Sequence, residues 1–173
     1  MIESKETDER YTPREYLEVW RDFFGPRFTD ISNTESNVTG AEAWFSAKHP
    51  APGARAWMQA AEESGSTWLY GNVPYSRGMI MKFVRMAAAH WTEGRWEIPM
   101  VWLLPVDPSA HWSQLLYEMG SWLAFPRRRL RFGGSEGVSG AKQPSQFVVM
   151  GGEPGARAHF ATAYGSLFCT AQL

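Results

Sequence analysis

Apolar residues recur at helical spacing after the first ten residues and predict the first helix of the chain. Thr12 suits the cap of this helix and Pro13 its first position, and Gly25 with Pro26 ends it. Its apolar stripe consists of Tyr16, Leu17, Trp20 and Phe24. We expect residues 1–10, which are rich in charge, to form a flexible tail.

Short apolar runs between helical patterns predict the strands of a sheet. We expect strands at 28–31, 67–70, 100–104, 122–125, 129–132 and 146–150, and further helices at 79–91 and about 110–120. The weak pattern of residues 32–66 indicates irregular structure with short helices, and the last two strands are expected to pair as a hairpin. The sequence therefore predicts an α/β fold of three layers, with a mixed sheet that ends in this antiparallel hairpin, in a single domain over residues 11–173.

Charge is distributed unevenly along the chain. The 17 basic and 18 acidic residues give a net charge of −1. Residues 1–71 nevertheless carry a net charge of −5, and residues 72–142 carry +4. The total excludes a histone-like polycation, but the basic half is compatible with a nucleic-acid partner.

Cysteine content and hydropathy indicate the compartment. The single cysteine, Cys169, excludes an internal disulfide framework and fits a reducing compartment. The most apolar stretch, 98–106, contains two prolines and is much shorter than the roughly 20 residues of a membrane-spanning helix. We therefore expect a cytoplasmic protein with no membrane partner.

Residues 72–75 carry the clearest candidate chemistry. The segment Asn72-Val73-Pro74-Tyr75 lies between a predicted strand and a predicted helix, which is where open α/β sheets bind ligands. The Asn72 amide oxygen and the Val73 carbonyl suit the two N–H groups of an exocyclic amino group such as adenine N6. Pro74 stiffens the loop, and Tyr75 can stack on a base taken out of a duplex. The segment also fits an ordinary turn, because Asn and Pro are common turn residues.

Five segments in order resemble the phage-type (Dam-like) DNA N6-adenine methyltransferase family over residues 11–150. Each segment is short, and the shared order makes the resemblance more specific than any one of them. The segments are Tyr11-Thr12-Pro13 with Glu15; Asp30-Ile31-Ser32-Asn33; Asn72-Val73-Pro74-Tyr75-Ser76; Leu103-Leu104-Pro105 with Trp112; and Arg129-Leu130-Arg131-Phe132 with Pro144-Ser145 and Phe147-Val148-Val149.

This resemblance implies a class I, Rossmann-like methyltransferase of bacteriophage type that uses S-adenosylmethionine to methylate N6 of adenine in DNA. It implies that a flipped adenine lies on residues 72–75, with Asn72, Val73, Pro74 and Tyr75 as the catalytic set. Asp30, Ser32 and Thr12 are implied to contact the cofactor. Ser76 and Trp112 are implied to contact the nucleic acid.

Two departures from the family pattern leave a second function open. Val73 replaces the first proline of the family motif, although the group needed there is a main-chain carbonyl. Residues 25–67 contain no Gly-x-Gly, the pattern with which methyltransferase backbones usually approach the cofactor. A degenerate methyltransferase-like protein that binds DNA or a host protein is therefore the alternative, and an enzyme acting on RNA or a protein amide is a further one.

A run of arginines precedes the predicted hairpin. In a strand, Arg127, Arg129 and Arg131 share one face and could contact DNA phosphates, or they could protect an edge strand from pairing. Residues 133–140 are glycine-rich and predict a mobile hairpin tip. The four histidines lack metal-ligand spacing, so we expect no metal site. Most of the nine tryptophans are expected in the core, with Trp112 as the one that lines the site.

Overall fold

The computed structural model describes residues 11–76, 78–94, 96, 98–120, 122–133, 139–140 and 143–173. The predicted tail, 1–10, and the middle of the predicted hairpin tip, 134–138, lie outside the described residues. The helices are α1 (Arg14–Phe24), α2 (Ala54–Ser64), α3 (Met79–Trp91), α4 (His111–Met119) and α5 (Ala156–Tyr164). The strands are β1 (Phe28–Asp30), β2 (Ala43–Trp44), β3 (Trp68–Gly71), β4 (Met100–Pro105), β5 (Trp122–Pro126), β6 (Arg131–Phe132), β7 (Ser139–Gly140), β8 (Ser145–Met150) and β9 (Phe168–Gln172).

Seven of these strands form one mixed sheet in the order β2-β1-β3-β4-β8-β5-β9. The neighbours β2, β1, β3 and β4 run parallel to one another. Strand β8 lies antiparallel between β4 and β5, and β9 pairs antiparallel with the outer side of β5. The predicted α/β class and the mixed sheet are confirmed, and the arrangement is consistent with a Rossmann-like fold.

Helices cover both faces of the sheet. Helices α1 and α5 pack on one face, around a cluster that contains Trp20 and Phe160. Helices α2, α3 and α4 pack on the other, around a cluster that contains Trp57 and Trp102. Residues of β4 alternate between the two clusters, so this strand is buried on both faces, as its continuous apolar run predicts. The result is the predicted three-layer arrangement.

The predicted hairpin between 129–132 and 146–150 is wrong. Strand β8 is buried almost throughout and pairs with β4 and β5 in the middle of the sheet. Residues 147–150 of this strand are apolar on both faces, so a central position removes more apolar surface from water than an exposed hairpin would. Strand β6 instead pairs with β7 in a separate two-stranded sheet, in which Arg131 is opposite Gly140.

Helix α2 lies within residues 32–66, for which irregular structure with short helices is predicted. It has 11 residues and buries Ala54, Trp57 and Ala61, which lie at helical spacing. Gly65, with φ of +66°, ends it in the left-handed conformation. Within the described residues, no helix is long and apolar enough to cross a membrane.

Candidate functional site

The candidate site lies where the carboxyl ends of β1 and β3 meet. Asp30 is the last residue of β1, and Asn72 directly follows β3. The chain continues from β1 to β2 on one side and from β3 to β4 on the other, so the strand order reverses between these two strands. Such a reversal opens a crevice beyond the strand ends, which is where doubly wound sheets bind their ligands. The structure thus brings the two predicted motifs to one crevice.

The loop that carries Asn72, residues 72–75, is anchored by close packing. A Cβ on Gly71 would lie 3.0 Å from the Ile31 side chain, so this position accepts only a very small residue without a shift of Ile31. The side chain of Val73 is 1% exposed and packs among residues of the α2–α4 face. Pro74 and Ser76 are half-buried. The valine therefore has a packing role in addition to its main-chain carbonyl.

Tyr75 is held from the neighbouring strand. Its half-buried ring packs against the same core, and its hydroxyl donates a long hydrogen bond of 3.4 Å to the Leu103 carbonyl of β4. Trp112 lies at the start of α4 and is also half-buried against this core. Both aromatic residues thus belong to the face covered by α2, α3 and α4.

Thr12 connects the first helix to the Asn72 loop. Its hydroxyl oxygen lies 2.5 Å from the phenol oxygen of Tyr70, and the Asn72 amide donates to it from Nδ2 at 3.1 Å. Tyr70 is fully buried, and this burial raises the pKa of its phenol well above the usual value. The phenol therefore keeps its proton at physiological pH.

The Asp30 carboxyl group bonds to the loop that follows β1. Its carboxyl is 1% exposed and accepts hydrogen bonds from the Ser32 backbone N–H at 3.0 Å and from the Thr39 hydroxyl at 2.8 Å. Asn33 donates to the same Thr39 hydroxyl at 2.6 Å. Burial raises the pKa of Asp30 to about 6, even though both hydrogen bonds to the carboxylate act in the opposite direction. The carboxyl group therefore shapes the loop that follows β1.

The raised pKa of Asp30 predicts a pH-dependent stability difference. Since the pKa is raised in the folded state, protonated Asp30 contributes to the free energy of unfolding. This contribution is fully present below pH 4 and is lost as the pH rises through about 6. Relative to Asp30→Asn, the wild type should therefore lose about 3 kcal/mol of unfolding free energy between pH 3.5 and 7.5. Urea unfolding at both pH values measures this loss. Glu62→Gln, at an exposed position of α2, is the control, and a difference between Asp30→Asn and wild type that does not vary with pH would contradict the prediction.

A cavity of about 310 Å³ adjoins this network. Its lining includes Thr12, which bonds Asn72, and Thr39, which bonds Asp30. Arg21 braces the lining by donating from its guanidinium to the Thr39 and Gly40 carbonyls at 2.8 and 3.1 Å. The other lining residues are Tyr11, Arg14, Leu17, Glu18, Asn37 and Val38. The cavity is thus linked to both predicted motifs by direct hydrogen bonds.

The predicted arginine face is only partly formed. Arg127 follows β5, where its Nε donates to the Gly165 carbonyl at 2.7 Å, and the chain bends before β6 begins at Arg131. The prediction that Arg127, Arg129 and Arg131 share one strand face is therefore wrong for Arg127. Arg129 and Arg131 are exposed and alternate with the buried Leu130 and Phe132; Arg131 lies in β6, and Arg129 precedes that strand.

Sequence reasoning missed Tyr70 and Thr39. Tyr70 reads as an ordinary strand residue, and its partner Thr12 is 58 residues away, so no local pattern indicates the contact. Thr39 lies in a segment with little periodicity. Within the described part of the chain, no group of three or more His, Cys, Asp or Glu side chains could hold a metal ion. No family model, curated protein or solved structure matches this chain.

Proposed function

We propose that this protein transfers a methyl group from S-adenosylmethionine to N6 of adenine in DNA. The observation that carries the proposal is the position of residues 72–75 at the crevice between β1 and β3, joined to a neighbouring cavity through Thr12. The resemblance of the chain to Dam-like methyltransferases, and the class I fold that it implies, support the same conclusion.

The Asn72 loop receives the adenine in this proposal. The Asn72 amide oxygen and the Val73 carbonyl accept the two amino hydrogens, which favours a nitrogen lone pair directed at the methyl group. Pro74 restricts the backbone between these acceptors and Tyr75. Tyr75 offers its ring to the base, which has to leave the duplex because the crevice cannot reach a stacked adenine.

The residues around the cavity fit part of the cofactor. A volume of about 310 Å³ is at the lower end for a small-molecule site. Its lining carries charges of both signs, Glu18 and Arg14, which pair with each other at 3.5 Å. Thr12, which lines the cavity and accepts a hydrogen bond from Asn72, offers a hydroxyl to the cofactor. Asp30 and Ser32 act on this site indirectly, through the loop that contains Thr39. Bound S-adenosylmethionine supplies an electrophilic methyl group.

DNA contacts come from the basic part of the chain. Exposed Arg129 and Arg131 suit phosphate contacts that position the duplex without reading its sequence, and the exposed Arg127 extends this surface beyond the end of β5. Ser76, on the loop beyond β3, and Trp112, in the first turn of α4, complete the proposed nucleic-acid set. The net charge of +4 over residues 72–142 is consistent with this assignment.

Labelled methyl transfer tests the proposal. The purified protein is incubated with isotopically labelled S-adenosylmethionine and duplex DNA, and the digested nucleosides are separated by mass spectrometry. We expect the label in N6-methyladenine, and none in a parallel reaction with a dG·dC polymer. Label that appears only in RNA or in added protein would overturn the choice of acceptor.

A cofactor-independent binding protein is the second candidate. Residues 31–42, which connect β1 to β2, contain no helix, and the hydrogen bonds from Ser32 and Thr39 occupy both oxygens of Asp30. A cofactor site of the usual kind has a glycine-rich turn and a helix N-terminus at this point. Calorimetry with S-adenosylmethionine separates the candidates. Saturable binding of S-adenosylmethionine excludes the cofactor-independent protein, whereas binding of DNA with no binding of S-adenosylmethionine favours it.

A further inference from the structure

Thr12 accepts a hydrogen bond from the donor end of the Asn72 amide. A side-chain amide has a donor end and an acceptor end, and rotation by 180° about its last bond exchanges them. The donor end of Asn72, Nδ2, is directed at the Thr12 oxygen at 3.1 Å. The acceptor end, Oδ1, is consequently turned away from Thr12.

Tyr70 fixes the Thr12 hydroxyl in turn. The phenol is fully buried, and Thr12 lies 2.5 Å from it. A buried hydroxyl that donates to nothing is costly, so the phenol donates to Thr12 and the Thr12 oxygen accepts from both sides. The three side chains thus connect β3, the start of α1 and the Asn72 loop.

We propose that Thr12, held by Tyr70, is a positioning residue that presents the acceptor oxygen of Asn72 to the substrate amino group. This inference rests on the function proposed above, and it gives Thr12 a role toward the substrate in addition to the cofactor role implied by the resemblance. Without the Thr12 hydroxyl the donor end of the amide loses this acceptor. Orientations in which the NH2 end faces the amino group of adenine, donor against donor, then become more populated. Methyl transfer slows because the reactive orientation is populated only part of the time.

Variants at both positions separate positioning from stability. Thr12→Val should lower kcat about tenfold to a hundredfold while the DNA dissociation constant stays within about threefold, because phosphate contacts dominate binding. Thr12→Ser keeps the hydroxyl and should restore kcat. The double variant Thr12→Val with Tyr70→Phe removes both partners of the buried hydrogen bond, so it should recover stability without recovering kcat. Asn72 side-chain NH2 signals in ¹⁵N NMR spectra should move in Thr12→Val and remain in Thr12→Ser.

The outcomes distinguish this inference from the proposed function. The positioning role would be overturned, with the wild type still an active methyltransferase, by any of three results. These are full activity of Thr12→Val, recovery of kcat in the double variant, or unchanged Asn72 signals in Thr12→Val. If the wild-type protein methylates no DNA, both the proposed function and the positioning role are overturned.

Discussion

Replacement of Asn72 by alanine is expected to lower the rate of adenine methylation by at least about a hundredfold. In the proposed function, the alanine removes the acceptor that would hold the amino group during attack, and the Val73 carbonyl alone would leave one N–H of that amino group without a partner. The effect should appear in kcat, measured with labelled S-adenosylmethionine under saturating DNA. Loss of the hydrogen bond to Thr12 should cost only about 1 kcal/mol, so the variant should remain folded.

A matched amide deletion controls for this result. Gln59 is exposed on α2, a helix that packs on the sheet face opposite α1, and among the described residues its amide bonds a neighbouring carboxylate, that of Glu63. Gln59→Ala should retain wild-type activity and the wild-type unfolding midpoint. If Asn72→Ala methylates DNA as fast as Gln59→Ala does, Asn72 has no catalytic role and the assignment of residues 72–75 is wrong.

Replacement of Trp20 by alanine is expected to destabilise the protein by about 3–5 kcal/mol. Trp20 is 0% exposed and lies at the centre of the face covered by α1 and α5. Its ring stacks on Phe160 at 4.5 Å between centroids and also contacts Phe147 at 5.3 Å and Trp122 at 5.8 Å. Truncation leaves a cavity where α1, α5 and the sheet meet, so urea unfolding followed by circular dichroism should show a much lower midpoint.

Two further variants define the cause of that loss. Trp20→Phe keeps a ring and removes an indole N–H that has no hydrogen-bond partner among the described residues, so it should cost less than half as much as the alanine variant. Trp44→Ala makes the same deletion at the sheet edge, where the side chain is 42% exposed, and should cost about 1 kcal/mol or less. Equal losses in Trp20→Ala and Trp44→Ala would contradict the central role of Trp20.

The local elements were largely predictable from the chain. The helix predicted at 79–91 has those bounds, because its apolar stripe of Ile80, Val84 and Ala87 is regular and nothing inside it breaks the pattern. The weak pattern of residues 32–66 predicts short helices without bounds, and the structure places one of them, α2, at Ala54–Ser64, with Trp57 and Ala61 at helical spacing.

Of the candidate site, the sequence predicted the position of the Asn72 loop but not the contacts that define it. A strand followed by a polar turn is a local signal, so Asn72 could be placed at a strand end. Both carboxyl oxygens of Asp30 accept hydrogen bonds, one from Ser32 and one from Thr39. These contacts depend on how the connection from β1 to β2 folds back, which the periodicity of the sequence does not predict.

The sequence by itself determined the α/β class, most helices and strands, and the order in which the motifs occur, because these follow from periodicity and turn residues over a few positions. Only the tertiary structure decided that β8 enters the sheet between β4 and β5 and that Thr12 meets Tyr70 and Asn72. The reason is physical. Strand pairing and contacts between residues about 60 positions apart are set by which arrangement buries both faces of the sheet and satisfies the buried polar groups, and this is a property of the whole chain.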